Sequence, residues 1–318
     1  MIRFPYVAHL LLPAGTAQKN VAQPDTKRET PSSLRESREA RDIEVSLIIP
    51  AHNEEERLLS TLFAYSEALY GRFSTRFEIV VVANGCVDQT VELANNVAAS
   101  LPQVRTIEIE GPVGKGGSVL EGFRQVRGGN ILFADADGAT VPESLIDLLE
   151  QLDYHDVVIG SRRLNNSAIL QRQPLMRRIC GQVFKTTVHL AFGLPFYDTQ
   201  CGAKAFRRHA ASRLAEVVTE KRWAFDVDLL LSAKLLGLDV HEQPVVWAHH
   251  SGSQLRFAPT AYQVIRSLWQ MKHQYGWLRK HPVEECWRRK HLDITSIWQR
   301  SHLRPPVRQG SAEIQTLG

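Results

Sequence analysis

The chain has 318 residues, of which 43% are hydrophobic and 23% are charged, and its formal net charge is +4. These values are ordinary for a globular protein, and the length exceeds what one small domain needs. No stretch reaches the ~18 uninterrupted apolar residues that a membrane-spanning helix requires, so the composition argues against an integral membrane protein.

The first segment of the chain is predicted to be disordered. Residues 14–42 are polar, charged and poor in aromatic side chains. Such a segment cannot bury enough apolar area to offset the entropy lost on ordering. We therefore predict a disordered extension over residues 1–43 and a folded domain over residues 44–252.

Strand-like and helix-like segments alternate within that domain. Buried-strand patterns occupy residues 45–49, 77–83, 104–110, 130–135 and 156–160. Helical periodicity lies between them, at residues 54–69, in a segment that Asp88 can cap, and at residues 115–126. Repeated units of this length predict an α/β fold, with a mainly parallel, Rossmann-like sheet covered by helices on both faces.

Two aspartates follow the fourth predicted strand. In the segment NILFADADGAT, Asp135 and Asp137 are separated by one alanine. The pair Asp137-Gly138 is also a common turn sequence, so one interpretation of this pattern is a purely structural role in a turn. Alternatively, both carboxylates point into the crevice beyond the strand ends, where open α/β sheets bind ligands. Two such carboxylates would bind Mg²⁺ or Mn²⁺ together with a diphosphate.

Several basic and acidic side chains accompany this pair. The Gly-rich segment GPVGKGGSV fails the Walker pattern, because Lys115 is followed by glycine, yet it could present Lys115 to an anion. Asp226, near a predicted helix start, could be an N-cap or could act in the site together with Asp228. Arginines after the fifth strand indicate either a solvated surface or a phosphate site: Arg162, Arg172, Arg177 and Arg178.

The C-terminal region is predicted to contain an amphipathic helix. Within residues 253–281, apolar side chains recur at helical spacing: Val264, Ile265, Leu268 and Trp269. The helix could pack on the core or lie in a membrane interface, with Trp269 and Trp277 near the headgroups. Residues 254–308 hold 11 Lys and Arg against 3 Asp and Glu, which suits an anionic surface, either membrane or nucleic acid. Residues 282–318 form a basic tail.

The four cysteines lie far apart in the sequence and form no C-x-x-C pair. This spacing argues against a zinc site and against a disulfide framework, and it is typical of a protein from a reducing compartment. We therefore expect a cytoplasmic protein.

Taken together, the motifs resemble those of family 2 glycosyltransferases, and more narrowly of the group that uses dolichyl phosphate as the acceptor. The resemblance covers roughly residues 44–275. It rests on motifs in the family's order: VSLIIPAHNEEERL, ANGCVDQT, GKGGSV, DADGAT, VVIGSRR, DTQCGAKAF, RWAFDVDLL and VVWAHHSGSQLR. The combination is closer to the glucosyl branch than to the mannosyl branch.

The resemblance implies a glycosyltransferase A-type fold and assigns roles to residues. Donor binding is implied for Pro50, His52, Glu54, Asn84, Lys115 and Asp135. The metal, Mg²⁺ or Mn²⁺, is implied at Asp135 and Asp137. Catalytic roles are expected for Asp226, Asp228 and Arg162, and acceptor-phosphate binding for Arg162, Arg177 and Arg178.

The implied reaction moves a hexose, with glucose favoured, from a nucleotide diphosphate sugar to a polyprenyl phosphate with inversion. UDP-glucose is the favoured donor and GDP-mannose a possible one. We expect the enzyme to lie peripherally at the cytoplasmic face of a membrane, held by the C-terminal helix, and not to bind nucleic acid. The alternatives are a same-fold transferase with a soluble acceptor, a nucleotidyltransferase that makes sugar nucleotides, and a non-catalytic scaffold.

Overall fold

A central sheet of seven strands organises the chain. The computed structural model describes residues 43–171, 175–248, 266–273 and 275, and the side chains of residues 175–177 are not described. The predicted disordered extension, up to residue 42, and the basic tail, residues 282–318, lie outside the described residues, as does most of the predicted amphipathic region.

The strands and helices alternate through most of the domain. The strands are β1 (Val45–Ala51), β2 (Phe77–Asn84), β3 (Val104–Ile109), β4 (Asn130–Phe133), β5 (Val157–Ser161), β6 (Ala168–Gln171), β7 (Lys204–Arg207), β8 (Val240–Pro244) and β9 (Val246–Ala248). The helices are α1 (Leu58–Phe73), α2 (Thr90–Ser100), α3 (Gly114–Gln125), α4 (Pro142–Gln151), α5 (Leu175–Phe192), α6 (Arg208–Val217) and α7 (Phe225–Leu235).

The large sheet has the strand order β3-β2-β1-β4-β7-β5-β8. Strands β3, β2, β1 and β4 pair in parallel, as do β5 and β8, which confirms the predicted mainly parallel sheet. Strand β7 runs antiparallel to both of its neighbours, β4 and β5. A second sheet pairs β6 with β9 in parallel.

Helices cover both faces of the large sheet, as predicted. The alternation of side chains along β1 directs Ile48 to one face and Leu47 and Ile49 to the other. Ile48 belongs to a buried cluster that includes apolar side chains of α3, α6 and α7. Leu47 and Ile49 belong to a second cluster, with side chains of α1, α2 and α4. Each face therefore has its own apolar core.

A buried carboxylate, that of Glu78, joins several residues at the amino-terminal edge of the sheet. Glu78 accepts hydrogen bonds from Ser46 Oγ (2.7 Å), Arg105 Nε (2.9 Å) and the Arg127 backbone N–H (2.6 Å). Burial disfavours the charged form, but these hydrogen bonds lower the pKa of Glu78 below its usual value. This cluster lies at the opposite end of the strands from the predicted ligand crevice.

Residues 266–273 are helical and pack on the core rather than standing apart from it. Leu268, Met271 and Tyr275 are buried in the same cluster as α7, whereas the Trp269 side chain is exposed. Of the two positions predicted for this helix, packing on the core therefore holds for its buried side. Trp277 lies outside the described residues. Within the part of the chain that the structure describes, no helix is both long and apolar enough to cross a membrane.

Candidate active site

The loop after β4 carries the two aspartates and is held in place by hydrogen bonds from helix α1. Thr61 Oγ1 donates a hydrogen bond to the Ala136 carbonyl (2.9 Å), and Tyr65 Oη donates one to the Thr140 carbonyl (2.9 Å). Gly138 has φ +65°, a left-handed conformation that favours glycine, so the Asp137-Gly138 turn does form. A turn at Asp137-Gly138 is compatible with a metal site, because the turn holds the carboxylates of Asp135 and Asp137 in fixed positions.

The two carboxylates remain accessible at the edge of the sheet. The Asp135 side chain is 41% exposed, and Asp137 is partly buried, with Oδ1 accepting the Ala139 N–H at 3.1 Å. Burial, and next the negative charge of Asp135, raise the pKa of Asp137 above its usual value. The repulsion within this pair would be relieved by a cation.

The surroundings of Asp135 fit a divalent metal. A Cβ atom at Gly202 would lie 1.8 Å from Asp135 Oδ2, so the absent side chain leaves room for the carboxylate. Among the described residues no group of three or more His, Cys, Asp or Glu side chains forms a complete metal site. Two carboxylates completed by a diphosphate are what Mg²⁺ or Mn²⁺ commonly uses.

Lys115, at the start of α3, lies beside Asp135. Its Nζ is 2.8 Å from Asp135 Oδ1 and 3.9 Å from Asp226 Oδ2. Burial disfavours the ammonium ion, but the charges of Asp135 and then Asp226 raise the pKa of Lys115 above its usual value. The first turn of α3 is anchored by the Gly117 N–H, which donates to the Lys221 carbonyl (3.0 Å). The predicted anion-binding lysine thus stands in the same crevice as the carboxylates.

Asp226 lies near Lys115 at the carboxyl edge of the sheet and is not an N-cap. Helix α7 begins at Phe225 after Ala224, and no side-chain capping bond forms there. Asp226 Oδ1 instead lies 2.6 Å from Nζ of Lys204, a fully buried lysine at the start of β7. Sequence reasoning missed Lys204. Its one signal was a lysine within an otherwise apolar stretch, GAKAF, which is unusual because lysine is almost never fully buried without a partner.

Asp228 lies apart from the crevice, although it was predicted beside Asp226. Its carboxylate accepts the backbone N–H groups of Thr219 (2.9 Å) and Glu220 (2.8 Å) and the hydroxyl of Tyr275. Residues two apart on a helix point to nearly opposite sides. The geometry therefore favours a structural role for Asp228, as an anchor for the segment that precedes α7.

The loops after β1 and β2 bring the remaining predicted donor residues to the same edge. Pro50 is a partly buried residue of β1, and His52 Nδ1 lies 2.6 Å from the carbonyl of Asn84. Asn84 is buried, and its Oδ1 accepts the Val113 N–H (2.6 Å). Glu54 pairs with Arg57, and burial, with smaller contributions from Asp137 and Asp135, raises its pKa.

Arg162 is committed to a buried partner. Its Nε and Nη2 donate to the two carboxylate oxygens of Asp198 at 2.7 and 2.9 Å, and its guanidinium lies 5.4 Å from the Trp247 ring centroid. Burial opposes the charge on Asp198, but the Arg162 charge and its hydrogen bonds lower the pKa of Asp198 to about 2. Much of the donor capacity of Arg162 is therefore used within the protein.

This ion pair predicts a pH-dependent stability difference. Asp198→Asn should lower the free energy of unfolding by roughly 2 kcal/mol above pH 4, as expected for a carboxyl whose pKa is depressed from 3.8 to about 2. The stabilisation is lost as pH falls through the folded pKa, so parent and variant should converge near pH 2. Urea unfolding at several pH values measures this. A constant difference down to pH 2 would contradict the assignment, and exposed Asp153→Asn serves as the control.

The other predicted phosphate-binding arginines lie on or before α5. Arg178 is an exposed residue of that helix. Arg177 lies in the same helix but its side chain is not described, and Arg172 lies outside the described residues. Arg163 is exposed and donates to Gln182 Oε1 of α5 at 2.7 Å, which joins the end of β5 to the helix.

Comparison with known proteins agrees with this geometry. The sequence profile of Glycosyl transferase family 2 matches residues 46–214, more than half of the chain. A dolichyl-phosphate beta-glucosyltransferase of Drosophila melanogaster is 40% identical over 227 residues, which cover 67% of this chain and 69% of that protein. A protein of the same name from Saccharomyces cerevisiae is 31% identical over 256 residues, covering 74% and 76%.

A solved structure shares the fold. Glucosyl-3-phosphoglycerate synthase from Mycobacterium tuberculosis, crystallised with Mn²⁺, UDP-glucose and phosphoglyceric acid, has a TM-score of 0.52 at 17% sequence identity, over 78% of this chain and 86% of that one. The predicted glycosyltransferase A-type fold is therefore confirmed. From the family profile and the similarity to these relatives, the chain belongs to glycosyl transferase family 2.

Proposed function

We propose that this enzyme transfers glucose from UDP-glucose to a polyprenyl phosphate of the dolichyl type, with inversion at the anomeric carbon. The observation that carries the proposal is the row of alternating charges at the carboxyl edge of the sheet, in which Lys115 lies between Asp135 and Asp226. The names of the relatives from Drosophila and yeast support the acceptor. The Mn²⁺ and UDP-glucose of the solved neighbour support the donor class.

On the donor side, Asp135 and Asp137 would hold Mg²⁺ or Mn²⁺, which supplies Lewis-acid stabilisation of the departing diphosphate. Lys115 lies beside Asp135 and would balance charge on the same leaving group. Pro50, His52, Glu54 and Asn84 border this crevice and would surround the nucleoside. Because the Asn84 side chain is already bonded to the Val113 N–H, we infer that it shapes the pocket more than it reads the base.

On the acceptor side, an oxygen of the lipid phosphate forms a bond to the anomeric carbon as the bond from that carbon to the diphosphate breaks. A phosphate monoester with a second pKa of about 6 is mostly ionised at neutral pH, so no strong general base is needed. Asp226 would orient the acceptor or stabilise the electron-poor sugar ring. Of the three arginines predicted to bind the acceptor phosphate, Arg178 has a described and exposed side chain, and with Arg177 it would meet that phosphate.

The test is a transfer assay with a panel of radiolabelled nucleotide sugars, Mn²⁺ or Mg²⁺, and dolichyl phosphate. We expect labelled glucose from UDP-glucose to partition into organic solvent as a lipid product. Label that stays in the aqueous phase on a new product would indicate a soluble acceptor. If lipid product formed only from GDP-mannose, the proposed donor would be wrong. Release of pyrophosphate would indicate a nucleotidyltransferase.

We also propose that the enzyme works at a membrane surface, and α5 supports this. Ile179, Val183 and Leu190 on this helix are 50%, 62% and 78% exposed, and neighbouring β6 exposes Leu170. An exposed apolar stripe with basic residues such as Arg178 suits a bilayer with anionic headgroups. The exposed side of residues 266–273, with Trp269, is a second candidate surface.

Two substitutions in α5 should reduce membrane binding without unfolding the protein. Because Ile179 and Leu190 are exposed, Ile179→Asp with Leu190→Asp leaves the core intact and should lower recovery with phosphatidylserine liposomes severalfold in flotation. The matched control is Tyr154→Asp, which also replaces an exposed large side chain. Equal recovery of all three proteins would count against α5. Removal of residues 254–318 is a poorer test, because it deletes the buried Leu268, Met271 and Tyr275.

We infer the cytoplasmic face of that membrane from the cysteines. Cys86, Cys180 and Cys201 are free thiols, which is typical of a reducing compartment. Reaction of intact membrane vesicles of known orientation with an impermeant protease, followed by immunoblotting, tests the side.

A further inference from the structure

The role of Lys204 goes beyond the proposed reaction and rests on it. Its side chain is fully buried, and Nζ lies 2.6 Å from Asp226 Oδ1 and 2.7 Å from the carbonyl of Cys201. The Asp226 side chain is itself only 7% exposed. A buried ammonium ion requires such a partner, because desolvation of an unpaired charge is costly.

The two oxygens of Asp226 face two different lysines at unequal distances. Oδ1 is 2.6 Å from Lys204 Nζ, whereas Oδ2 is 3.9 Å from Lys115 Nζ. Lys115 is closer to Asp135, at 2.8 Å. The ring of Phe133 lies near both lysines, 5.2 Å from Lys204 Nζ and 5.5 Å from Lys115 Nζ. This apolar ring lowers the local polarity and so strengthens each charge interaction.

The charges of this cluster can be divided in two ways. In the structure, Lys204 forms an ion pair with Asp226, and Lys115 forms one with Asp135 in the crevice. If Lys204 were absent, Asp226 would be a buried carboxylate with Lys115 as its nearest cation at 3.9 Å. Lys115 would then turn from Asp135 to Asp226 and away from any anion bound beside Asp135.

We propose that Lys204 is a positioning residue that holds Asp226 in place and thereby reserves Lys115 for the diphosphate of the sugar donor. Lys204 does not touch substrate, since it has no exposed surface. It acts through the Asp226 carboxylate.

The first test is the crystal structure of Lys204→Met. We expect Lys115 Nζ to move within hydrogen-bonding distance of Asp226 and to lose its contact with Asp135. Retention of the Lys115–Asp135 contact would overturn the proposal. This readout does not depend on any substrate, so it remains decisive even if the proposed donor is wrong.

The second test measures binding of UDP-glucose with Mn²⁺ by calorimetry, corrected for the folded fraction. Lys204→Met should bind about tenfold more weakly than the parent. The double variant Lys204→Met with Asp226→Asn should regain the parental affinity while remaining inactive in transfer, because no carboxylate then draws Lys115 away. If Lys204→Met does not fold, the double variant still tests the proposal, because weak binding of UDP-glucose by the double variant would refute it.

A matched control separates positioning from loss of stability. Arg105→Met removes an ion-pair partner from the buried Glu78 at the opposite edge of the sheet. We expect it to lower the thermal midpoint yet leave UDP-glucose affinity unchanged. If Lys204→Met behaves like this control, with parental affinity per folded molecule, Lys204 is structural and the proposal fails. Failure of the parent itself to bind UDP-glucose would instead refute the proposed donor.

Discussion

Asp137→Ala should lower the rate of glucose transfer about a thousandfold while the protein remains folded. The side chain is partly buried and beside Asp135, and its loss removes one of two oxygen ligands proposed for the metal. Electrostatic stabilisation of a leaving group is commonly worth this much. Because the substitution also relieves repulsion between the two aspartates, stability should stay level or rise. The measurements are initial rates at saturating Mn²⁺ and the urea unfolding midpoint.

Exposed Asp153→Ala is the matched control for that experiment, since it removes a carboxylate of the same type between the end of α4 and the start of β5, at the edge of the sheet opposite the crevice. It should leave transfer unchanged. Near-parental turnover in Asp137→Ala would defeat the metal assignment. A large fall in the unfolding midpoint would show instead that Asp137 matters mainly through its bond to the Ala139 N–H.

Gly202→Ala should reduce transfer about a hundredfold through a single added methyl group. The new Cβ would lie 1.8 Å from Asp135 Oδ2, so the Asp135 carboxylate must rotate away. A displacement of about 1 Å in a catalytic group is enough for an effect of this size. Because the displaced atoms end a partly exposed side chain, the free energy of unfolding should change by less than about 1 kcal/mol.

Gly71→Ala provides the comparison, because a Cβ there meets no atom within 4 Å and the residue lies inside helix α1. It should leave transfer unchanged and stabilise the protein by about 0.5–1 kcal/mol, as alanine does in helix interiors. If Gly202→Ala retained parental activity, the Asp135 carboxylate would not need its observed position. A drop in stability similar to the drop in activity would make Gly202 a packing residue.

Much of the fold followed from hydrophobic pattern alone. Strands β1, β2 and β4 are almost entirely buried and consist mainly of apolar residues, and such runs are the strongest strand signal in a parallel sheet. Strand β7 gave no such signal, since its four residues, KAFR, begin and end with a cation. Its reversed direction depends on pairing with β4 and β5, which are distant in sequence, and no local pattern encodes that.

The proximity of some candidate site residues could be predicted from the sequence, and that of others could not, for physical reasons. Asp135, Asp137 and Lys115 follow strand ends, and parallel strands bring such loops to one edge, so their proximity could be inferred. Asp228 could have been set apart from Asp226 by helix geometry alone. The partners of Arg162 and Asp226, namely Asp198 and Lys204, could not be inferred, because each pair joins segments that meet only in the folded chain.

The reversed direction of β7 has an evolutionary consequence. The chain leaves the sheet at the end of β5 and re-enters at the start of β7, and both points lie at the carboxyl edge. The segment that joins β5 to β7 therefore begins and ends at neighbouring points of that edge. The segment can change in length without altering the pairing of β1 to β4, provided that Gly202 beside Asp135 is kept. We therefore expect relatives with this sheet topology to differ in length between β5 and β7 more than between β1 and β4.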